Sequence, residues 1–281
     1  MTGRTCVVTG ASSGIGRATA MALARRGARL ALVCRDRARG EAALAAIRAA
    51  APGAEAELWL ADLASQAEIR GLAAALLARY PALHVLVNNA GVVNLRRETT
   101  VDGIETVFAV NHLAPYLLTR LLLERLVASA PARVVTVSSA AHVMGRLDLD
   151  DLGFERRRYR TMRVYGASKI ANILFTHELA RRLEGHGVTA NCLHPGAVAT
   201  GLGANNGRVA RVMVAALRPF FRTPEQGAAT VVQLATAPEV ARVTGQYFVN
   251  GRQRRSSRAS YDTALERGLW DVSARLTGLR P

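Results

Sequence analysis

Short apolar runs alternate with longer segments of helical periodicity along this chain of 281 residues. Seven short runs of strand-like composition predict strands, and between them apolar residues recur every three or four positions, as on the buried face of a helix. Such alternation is typical of right-handed βαβ crossovers, which build a mostly parallel sheet with helices on both faces. The predicted strands are 5–9, 29–34, 57–61, 85–88, 133–138, 188–193 and 246–249.

The pattern contains no internal repeat and no low-complexity linker, so we predict a single doubly wound α/β domain over residues 1–281. Two stretches, 140–164 and 196–223, interrupt the alternation. Both follow strands, on the side where open α/β sheets bind their ligands. We expect a substrate lid at about 201–223, and an ordinary packed helix is the alternative interpretation of that segment.

The charge balance is strongly basic, with a formal net charge of +16. Of the 37 cationic side chains, 36 are arginine and one, Lys169, is lysine. Basic proteins attract nucleic acids and other anions, but the arginines are spread along the chain, and no zinc-finger, basic-leucine or RNA-binding motif accompanies them. The sequence therefore predicts no specific nucleic-acid partner.

The apolar runs, the N-terminal segment and the three cysteines bear on membrane insertion, secretion, disulfides and metal sites. No apolar run reaches the roughly 18 residues of a membrane span, and the first predicted strand leaves no room for a signal peptide. Cys6, Cys34 and Cys192 are far apart in apolar stretches, which favours buried free thiols over a disulfide or a metal site. We expect a cytoplasmic protein with no transmembrane segment and no metal, and a homo-oligomer is compatible with the sequence.

A glycine-rich turn, TGASSGIG at residues 9–16, joins the first strand to the first helix. Such a turn lets backbone N–H groups approach a pyrophosphate, which the helix N-terminus attracts. A plain strand–helix turn is the alternative, but the first strand of a doubly wound sheet borders the ligand crevice. The turn therefore predicts a dinucleotide site that includes Gly10, Ser12, Ser13, Gly14, Ile15 and Gly16.

The end of the second strand bears on which dinucleotide is bound. An acid there binds the ribose hydroxyls of NAD, whereas an arginine binds the 2′-phosphate of NADP. The strand leads into Cys34, Arg35 and Asp36. Arg35 following the strand favours NADP; a strand one or two residues longer would instead make Asp36 a ribose ligand and favour NAD.

Tyr165 and Lys169 lie four residues apart in YGASK and share one face of a helix. A free tyrosine, with a pKa near 10, does not serve as the base that alcohol oxidation needs. Lowering that pKa by about three units requires roughly 4 kcal/mol. One ammonium group about 4 Å away supplies about that much at an effective dielectric constant near 20. A surface pair is the alternative, but where arginine serves at every other cationic position, a lone lysine indicates a specific role.

Taken together, these motifs resemble the short-chain dehydrogenase/reductase family over nearly the whole chain. TGASSGIG, Asp62-Leu63, NNAG at 88–91, Asn111, Ser139 and YGASK occur in the order seen in that family. The resemblance implies a Rossmann fold and a catalytic tetrad of Asn111, Ser139, Tyr165 and Lys169. Ser138 is an alternative to Ser139, and Asn111 is either a helix-kinking polar residue or a water-holding relay to Lys169.

The same resemblance extends the predicted cofactor site. It implies that Asp62 orients the adenine and that Asn88 and Gly91 help shape the floor of the cofactor site. It also implies that Thr200, in HPGAVAT at 194–200, contacts the nicotinamide carboxamide. His194 is expected to be structural. The predicted cofactor-binding residues beyond the glycine-rich turn are Arg35, Asp62, Leu63, Asn88, Asn89, Ala90, Gly91, Tyr165, Lys169, Pro195, Gly196, Val198 and Thr200.

Four segments resemble the retinol dehydrogenase-like branch of that family: CRD at 34–36, SSAAH at 138–142, ANILFTHELARRL at 171–183 and LWDVSARLTGL at 269–279. The branch implies an NADP-dependent oxidoreductase acting on a small or lipophilic carbonyl or alcohol. The alternative is a cofactor-binding regulator without turnover that holds a partner through its arginines. The sequence does not identify the substrate beyond this class.

Overall fold

One sheet of eight strands forms the centre of the computed structural model, which describes residues 1–198 and 222–281. The strand order is β3-β2-β1-β4-β5-β6-β7-β8; the first seven strands are parallel, and β8 runs antiparallel to β7. This is the predicted doubly wound α/β fold. The strands are β1 (Thr5–Thr9), β2 (Arg29–Cys34), β3 (Ala56–Leu60), β4 (Val85–Asn88), β5 (Ala132–Val137), β6 (Val188–His194), β7 (Tyr247–Val249) and β8 (Arg252–Arg254).

The eighth strand corrects the predicted count of seven. All three residues of β8 are exposed, so the strand has no apolar position that periodicity could detect. The turn before it, Asn250-Gly251, has a positive φ at both residues (52° and 74°), as in the two-residue turn that matches the twist of a hairpin. That dipeptide was the available signal for the hairpin.

Helices cover both faces of the sheet. On one face, α1, α2 and α6 pack over a layer that includes Leu23, Leu32 and Val231. On the other, α3, α4 and α5 pack over a layer that includes Leu76, Leu117 and Phe175, and α7 packs against α5. The helices in the described ranges are α1 (Gly14–Ala24), α2 (Arg37–Ala50), α3 (Gln66–Arg79), α4 (Thr106–Ala128), α5 (Thr161–Arg182), α6 (Pro224–Thr236) and α7 (Thr263–Leu276).

Strand β1 shows why the strands read as continuous apolar runs. Val7 belongs to one core layer, and its neighbours Cys6 and Val8 belong to the other, because successive side chains point to opposite faces of a sheet that is covered on both. The three cysteines are buried and form no disulfide.

The strand order reverses between β1 and β4. From β1 the chain proceeds outward through β2 and β3 and then returns to pair β4 with the other edge of β1. In open α/β sheets this switch point leaves a crevice at the carboxyl ends of the strands. The glycine-rich turn after β1 and NNAG after β4 therefore face each other.

Helix α4 is long and apolar enough to cross a membrane by length and composition, the one such helix in the described ranges. Within the protein, 78% of that apolar stretch is buried. This is the position of a core helix, packed beside α3 on the sheet, and it accounts for the apolar sequence of α4.

Candidate active site

A cavity of about 750 Å³ opens at the carboxyl ends of β1, β2, β4, β5 and β6. It brings together most of the residues predicted from the sequence to bind a cofactor or to act in catalysis. The predicted residues that line it are Gly10, Ser12, Ser13, Gly14, Ile15, Gly16, Arg35, Asp62, Leu63, Asn89, Ala90, Gly91, Ser139, Tyr165, Lys169, Pro195, Gly196 and Val198.

The remaining predicted residues lie elsewhere. Asn88 and Asn111 are buried behind the cavity wall. The side chain of Asn88 points to helix α4, where its Nδ2 donates to Thr119 Oγ1 at 3.0 Å. Asn88 therefore fixes the end of β4 to α4 and does not line the cavity. Thr200 and the predicted lid up to residue 221 lie outside the described residues.

The start of helix α1 is built to hold an anion. Ser13 precedes the helix, but its side chain makes no capping hydrogen bond, and the first turn contains no acidic residue. By contrast, side chains cap the starts of α2, α3 and α6. Open N–H groups at the positive end of a helix attract negative charge, so this end of the cavity fits a pyrophosphate.

The glycine-rich turn also closes tightly on itself. A Cβ atom at Gly16 would overlap the carbonyl oxygen of Gly10 and come 2.5 Å from Asn89 Nδ2. Only glycine allows α1 to begin this close to β1 and to the loop after β4.

Thr9, which sequence reasoning did not select, ties the two loops of the switch point together. Its hydroxyl accepts from the N–H groups of Asn89 at 3.0 Å and Ala90 at 3.1 Å, and it donates to the carbonyl of Val87 at 3.2 Å. Asn89 Nδ2 donates in return to the carbonyl of Thr9 at 2.8 Å. A threonine directly before the first glycine was the available signal.

Strand β2 ends at Cys34, so Arg35 is the first residue beyond it. The carboxylate of Asp36 accepts from the N–H of Arg39 at 2.8 Å and caps helix α2. Arg39, also not selected from the sequence, lines the cavity and donates through Nη2 to Ser13 Oγ at 3.2 Å. Two guanidinium groups therefore lie beside the end of β2.

Asp62 follows β3 and lies at the cavity wall beside Leu63. Its Oδ1 accepts from the N–H of Ala64 at 3.0 Å, while its own N–H donates to Glu68 Oε2 at 2.7 Å. This turn fixes the position of the Asp62 carboxylate.

Ser139 and Tyr165 meet at the inner wall of the cavity, where the Ser139 side chain lies close enough to the phenol to act on its pKa. Ser139 begins a 3₁₀ turn, Ala140–Met144, and its Oγ accepts from the N–H of Ala141 at 3.2 Å. Tyr165 is buried on α5. Burial raises the pKa of Tyr165, and the hydrogen bond with Ser139 acts in the opposite direction.

The neighbouring serine is occupied elsewhere. Ser138 is buried, and its hydroxyl donates to the backbone carbonyl of Lys169 at 2.8 Å. It fastens strand β5 to α5, which leaves Ser139 as the serine whose side chain reaches Tyr165.

Lys169 is buried one turn after Tyr165. Its Nζ donates to the carbonyl of Val137 at 3.0 Å and lies 5.6 Å from the centroid of the Tyr165 ring. Burial lowers the pKa of Lys169 to about 8. The expected lowering of the Tyr165 pKa by this ammonium is not met in this arrangement, in which burial raises that pKa.

Asn111 lies in a π-helical turn, Ala109–Leu113, inside α4. Its side chain accepts from the N–H of Val92 at 2.7 Å and donates to the carbonyl of Val92 at 3.0 Å and to Ser168 Oγ at 3.0 Å. Asn111 thus joins a helix irregularity, the loop after β4 and helix α5. The turn agrees with the helix-distorting interpretation of Asn111. Within the described residues, the side-chain hydrogen bonds of Asn111 go to Val92 and Ser168 and not to Lys169.

Two methionines that sequence reasoning missed line the cavity near Tyr165. Met144 and Met162 are 46% and 47% exposed, so both present apolar surface at the opening. Unbranched side chains such as those of these two methionines adapt to differently shaped apolar ligands.

His194, the last residue of β6, shapes the Pro195-Gly196 turn. Its Nδ1 accepts from the N–H of Gly196 at 3.0 Å, as expected of a structural residue.

Comparisons with known proteins agree with this fold and identify the family. A family model described as short chain dehydrogenase matches residues 4–209. Human retinol dehydrogenase 13 is 44% identical over 282 aligned residues, which cover 99% of this chain and 85% of that protein.

Two solved structures are also similar. An uncharacterised protein from Mycobacterium paratuberculosis gives a TM-score of 0.79 at 33% identity, over 99% of this chain and 95% of that chain. A short chain dehydrogenase from Burkholderia cenocepacia J2315, solved in complex with NADP, gives a TM-score of 0.70 at 28% identity, over 88% of this chain and 96% of that chain.

Proposed function

The chain belongs to the short-chain dehydrogenase/reductase family, in its retinol dehydrogenase-like branch, and from this premise we propose that it is an NADP-dependent oxidoreductase interconverting a small or lipophilic carbonyl and its alcohol. Oxidoreductase activity follows from the family. The choice of NADP and the roles of individual residues are the finer parts of the proposal.

One observation carries it: the neighbouring side chains of Ser139 and Tyr165 line the same cavity as the uncapped start of α1. A nicotinamide dinucleotide supplies the hydride when bound. As hydride transfer builds negative charge on the carbonyl oxygen, Ser139 donates a hydrogen bond to that oxygen and Tyr165 delivers a proton to it. Lys169 adds a buried positive charge near the developing anion.

Tyr165 is suited to donate a proton at neutral pH. Its raised pKa keeps the phenol protonated there, so the acid needed for carbonyl reduction is present without further change. We therefore propose that Tyr165 is the proton donor for carbonyl reduction at neutral pH.

Charge at the end of β2 supports NADP. Arg35 and Arg39 both line the cavity, and the Asp36 carboxylate is engaged in capping α2. A 2′-phosphate binds guanidinium groups through strong charge-assisted hydrogen bonds. The similar Burkholderia cenocepacia enzyme was solved with NADP.

The opening beside Tyr165 supports an apolar substrate. Met144 and Met162 line the cavity there together with Ala141 and Val92. Retinol dehydrogenases are among the most similar relatives. An apolar aldehyde, ketone or secondary alcohol is the substrate class that this lining fits.

The test is an NADPH-oxidation screen of the purified protein against a panel of apolar aldehydes and ketones, with NADH in parallel. Oxidation of NADPH that depends on the carbonyl, and that disappears in the variant Tyr165→Phe, is the expected result. No carbonyl-dependent oxidation of either nucleotide, from a folded protein that binds NADPH, would overturn the proposal.

A further inference from the structure

His142 lies close to the site but has no role in the proposed chemistry. It is buried in the 3₁₀ turn that begins at Ser139. Its Nδ1 lies 2.7 Å from the backbone carbonyl oxygen of Ser139, and its Nε2 lies 3.1 Å from the backbone nitrogen of Ser257. Both ring nitrogens therefore bond to backbone groups.

These partners fix the proton on the ring. An amide N–H can only donate, so Nε2 must accept from Ser257 and Nδ1 must carry the hydrogen that it donates to Ser139. The backbone N–H of His142 donates to the same carbonyl at 3.1 Å. The Ser139 carbonyl is thus held from two directions by one residue, while His142 itself has no nitrogen left for proton transfer.

The segment that carries Ser139 is also pressed against the helix that carries Tyr165. A Cβ atom at Gly166 would come 2.5 Å from the carbonyl oxygen of Ala141 and 2.9 Å from the nitrogen of Gly145. Backbone therefore packs on backbone beside Tyr165. On the other side, the ring of His142 packs edge-on against Tyr247, with centroids 5.2 Å apart.

We infer that His142 is a positioning residue for the reaction: through its Nδ1–H bond to the Ser139 carbonyl it holds the Ser139 hydroxyl against Tyr165. This inference rests on the proposed function, because it concerns the same pair of side chains. The Nε2 bond to Ser257 anchors the ring to the loop after β8 and is not required for the position of Ser139.

Two variants separate the two bonds. In His142→Asn the amide nitrogen of asparagine takes the place of Nδ1 and can donate to the Ser139 carbonyl, but nothing reaches Ser257. In His142→Gln the longer side chain places its oxygen near the position of Nε2 and can accept from Ser257, but the bond to Ser139 is lost.

We expect His142→Gln to lower kcat by about ten- to a hundredfold, the range for a small misplacement of a catalytic group, with the dissociation constant for NADPH unchanged. His142→Asn should retain kcat within about threefold of wild type while lowering Tm by a few degrees. Crystal structures of the two His142 variants should show the Ser139 hydroxyl displaced from Tyr165 in His142→Gln only.

Equal losses of kcat in His142→Asn and His142→Gln, or a loss of Tm without a loss of kcat in His142→Gln, would overturn the inference. So would crystal structures in which Ser139 keeps its place in both variants. These structures need no substrate, so they decide the positioning role even if the wild-type protein reduces no carbonyl, an outcome that would count against the proposed function alone.

Discussion

The ammonium nitrogen of Lys169 lies 5.6 Å from the centroid of the Tyr165 ring and donates its hydrogen bond to the carbonyl of Val137. The two residues therefore share a buried face of α5 without a direct bond between the ammonium and the phenol. Of the described side chains around the phenol, Ser139 is the one that acts to lower its pKa, against the larger effect of burial.

Removing the Tyr165 hydroxyl tests the proton donor. Tyr165→Phe should lower kcat for carbonyl reduction by at least about 10²-fold, the contribution expected of a general acid. The ring remains to pack in its cluster, so the dissociation constant for NADPH, measured by fluorescence titration, should change little. Tyr159→Phe, whose hydroxyl bonds to Glu105 outside the cavity, is the matched control and should retain kcat. Turnover of Tyr165→Phe near the wild-type rate would assign the proton to another group.

The raised pKa of Tyr165 predicts opposite pH dependences for the two directions. Alcohol oxidation needs the phenolate as a base, so its kcat should rise by about tenfold for each pH unit between about pH 7 and pH 9. Carbonyl reduction needs the phenol, which stays protonated over this range, and the ammonium of Lys169, whose pKa is lowered to about 8, so the kcat of reduction should fall above about pH 8. Steady-state kinetics in both directions measure this. An oxidation rate that does not change with pH would mean that the phenol does not limit the reaction.

Lys169 should lower the stability of the cofactor-free protein. Burial lowers the pKa of Lys169 from 10.5 to about 8. Between these two pH values the unfolded chain therefore binds more protons than the folded protein. The cost of the buried charge is fully present below about pH 8 and is relieved as the pH rises toward 10.5. A pKa shift of this size corresponds to about 3 kcal/mol of stability. Replacing Lys169 also removes its hydrogen bond to Val137, and that loss offsets about 1 kcal/mol of the gain.

Lys169→Met should therefore be more stable than wild type by about 1–3 kcal/mol at neutral pH while losing turnover. The difference should shrink when urea unfolding is repeated near pH 10. Arg163→Met, at an exposed position on the same helix, should change the free energy of unfolding by less than about 0.5 kcal/mol. A less stable Lys169→Met at neutral pH would show that the buried charge is better compensated than its surroundings indicate.

Local spacing was enough to predict the sheet, the glycine-rich turn and the pair Tyr165–Lys169, because each is contained in a short segment. The choice between Ser138 and Ser139 could not be made from spacing, since it depends on which hydroxyl meets the backbone of α5. Arg39 and His142 were missed for a related reason. Their partners, Ser13 and Ser257, lie 26 and 115 residues away, and only the folded chain brings them together.

Arg35 and Arg39 should determine the preference for NADPH. Arg35→Ala should raise the dissociation constant for NADPH by about tenfold or more, because a charge-assisted bond contributes about 1.5–3 kcal/mol and 1.4 kcal/mol is tenfold. Arg39→Ala should act in the same direction, and neither variant should weaken NADH. Arg37→Ala is the matched control, since Arg37 pairs with Glu41 and does not line the cavity. Equal losses for the two nucleotides would show that these arginines do not bind the 2′-phosphate.

The backbone contact beside Tyr165 predicts that Gly166→Ala is costly for activity. The new methyl group would come 2.5 Å from the Ala141 carbonyl oxygen, and because backbone cannot swing aside, the segment that carries Ser139 must shift. We expect kcat to fall by about tenfold or more, with a loss of about 1–3 kcal/mol in the free energy of unfolding.

Gly268→Ala on α7 provides the matched comparison for that loss. Its methyl group would come equally close, 2.5 Å, to another atom, but that atom is Leu149 Cδ1, the end of a flexible side chain that can rotate away. Gly268→Ala should therefore retain kcat and change stability little, since alanine also favours a helix by up to about 1 kcal/mol over glycine. If both substitutions lower kcat equally, crowding anywhere in the fold slows the enzyme, and the contact at Gly166 has no special bearing on Ser139 and Tyr165.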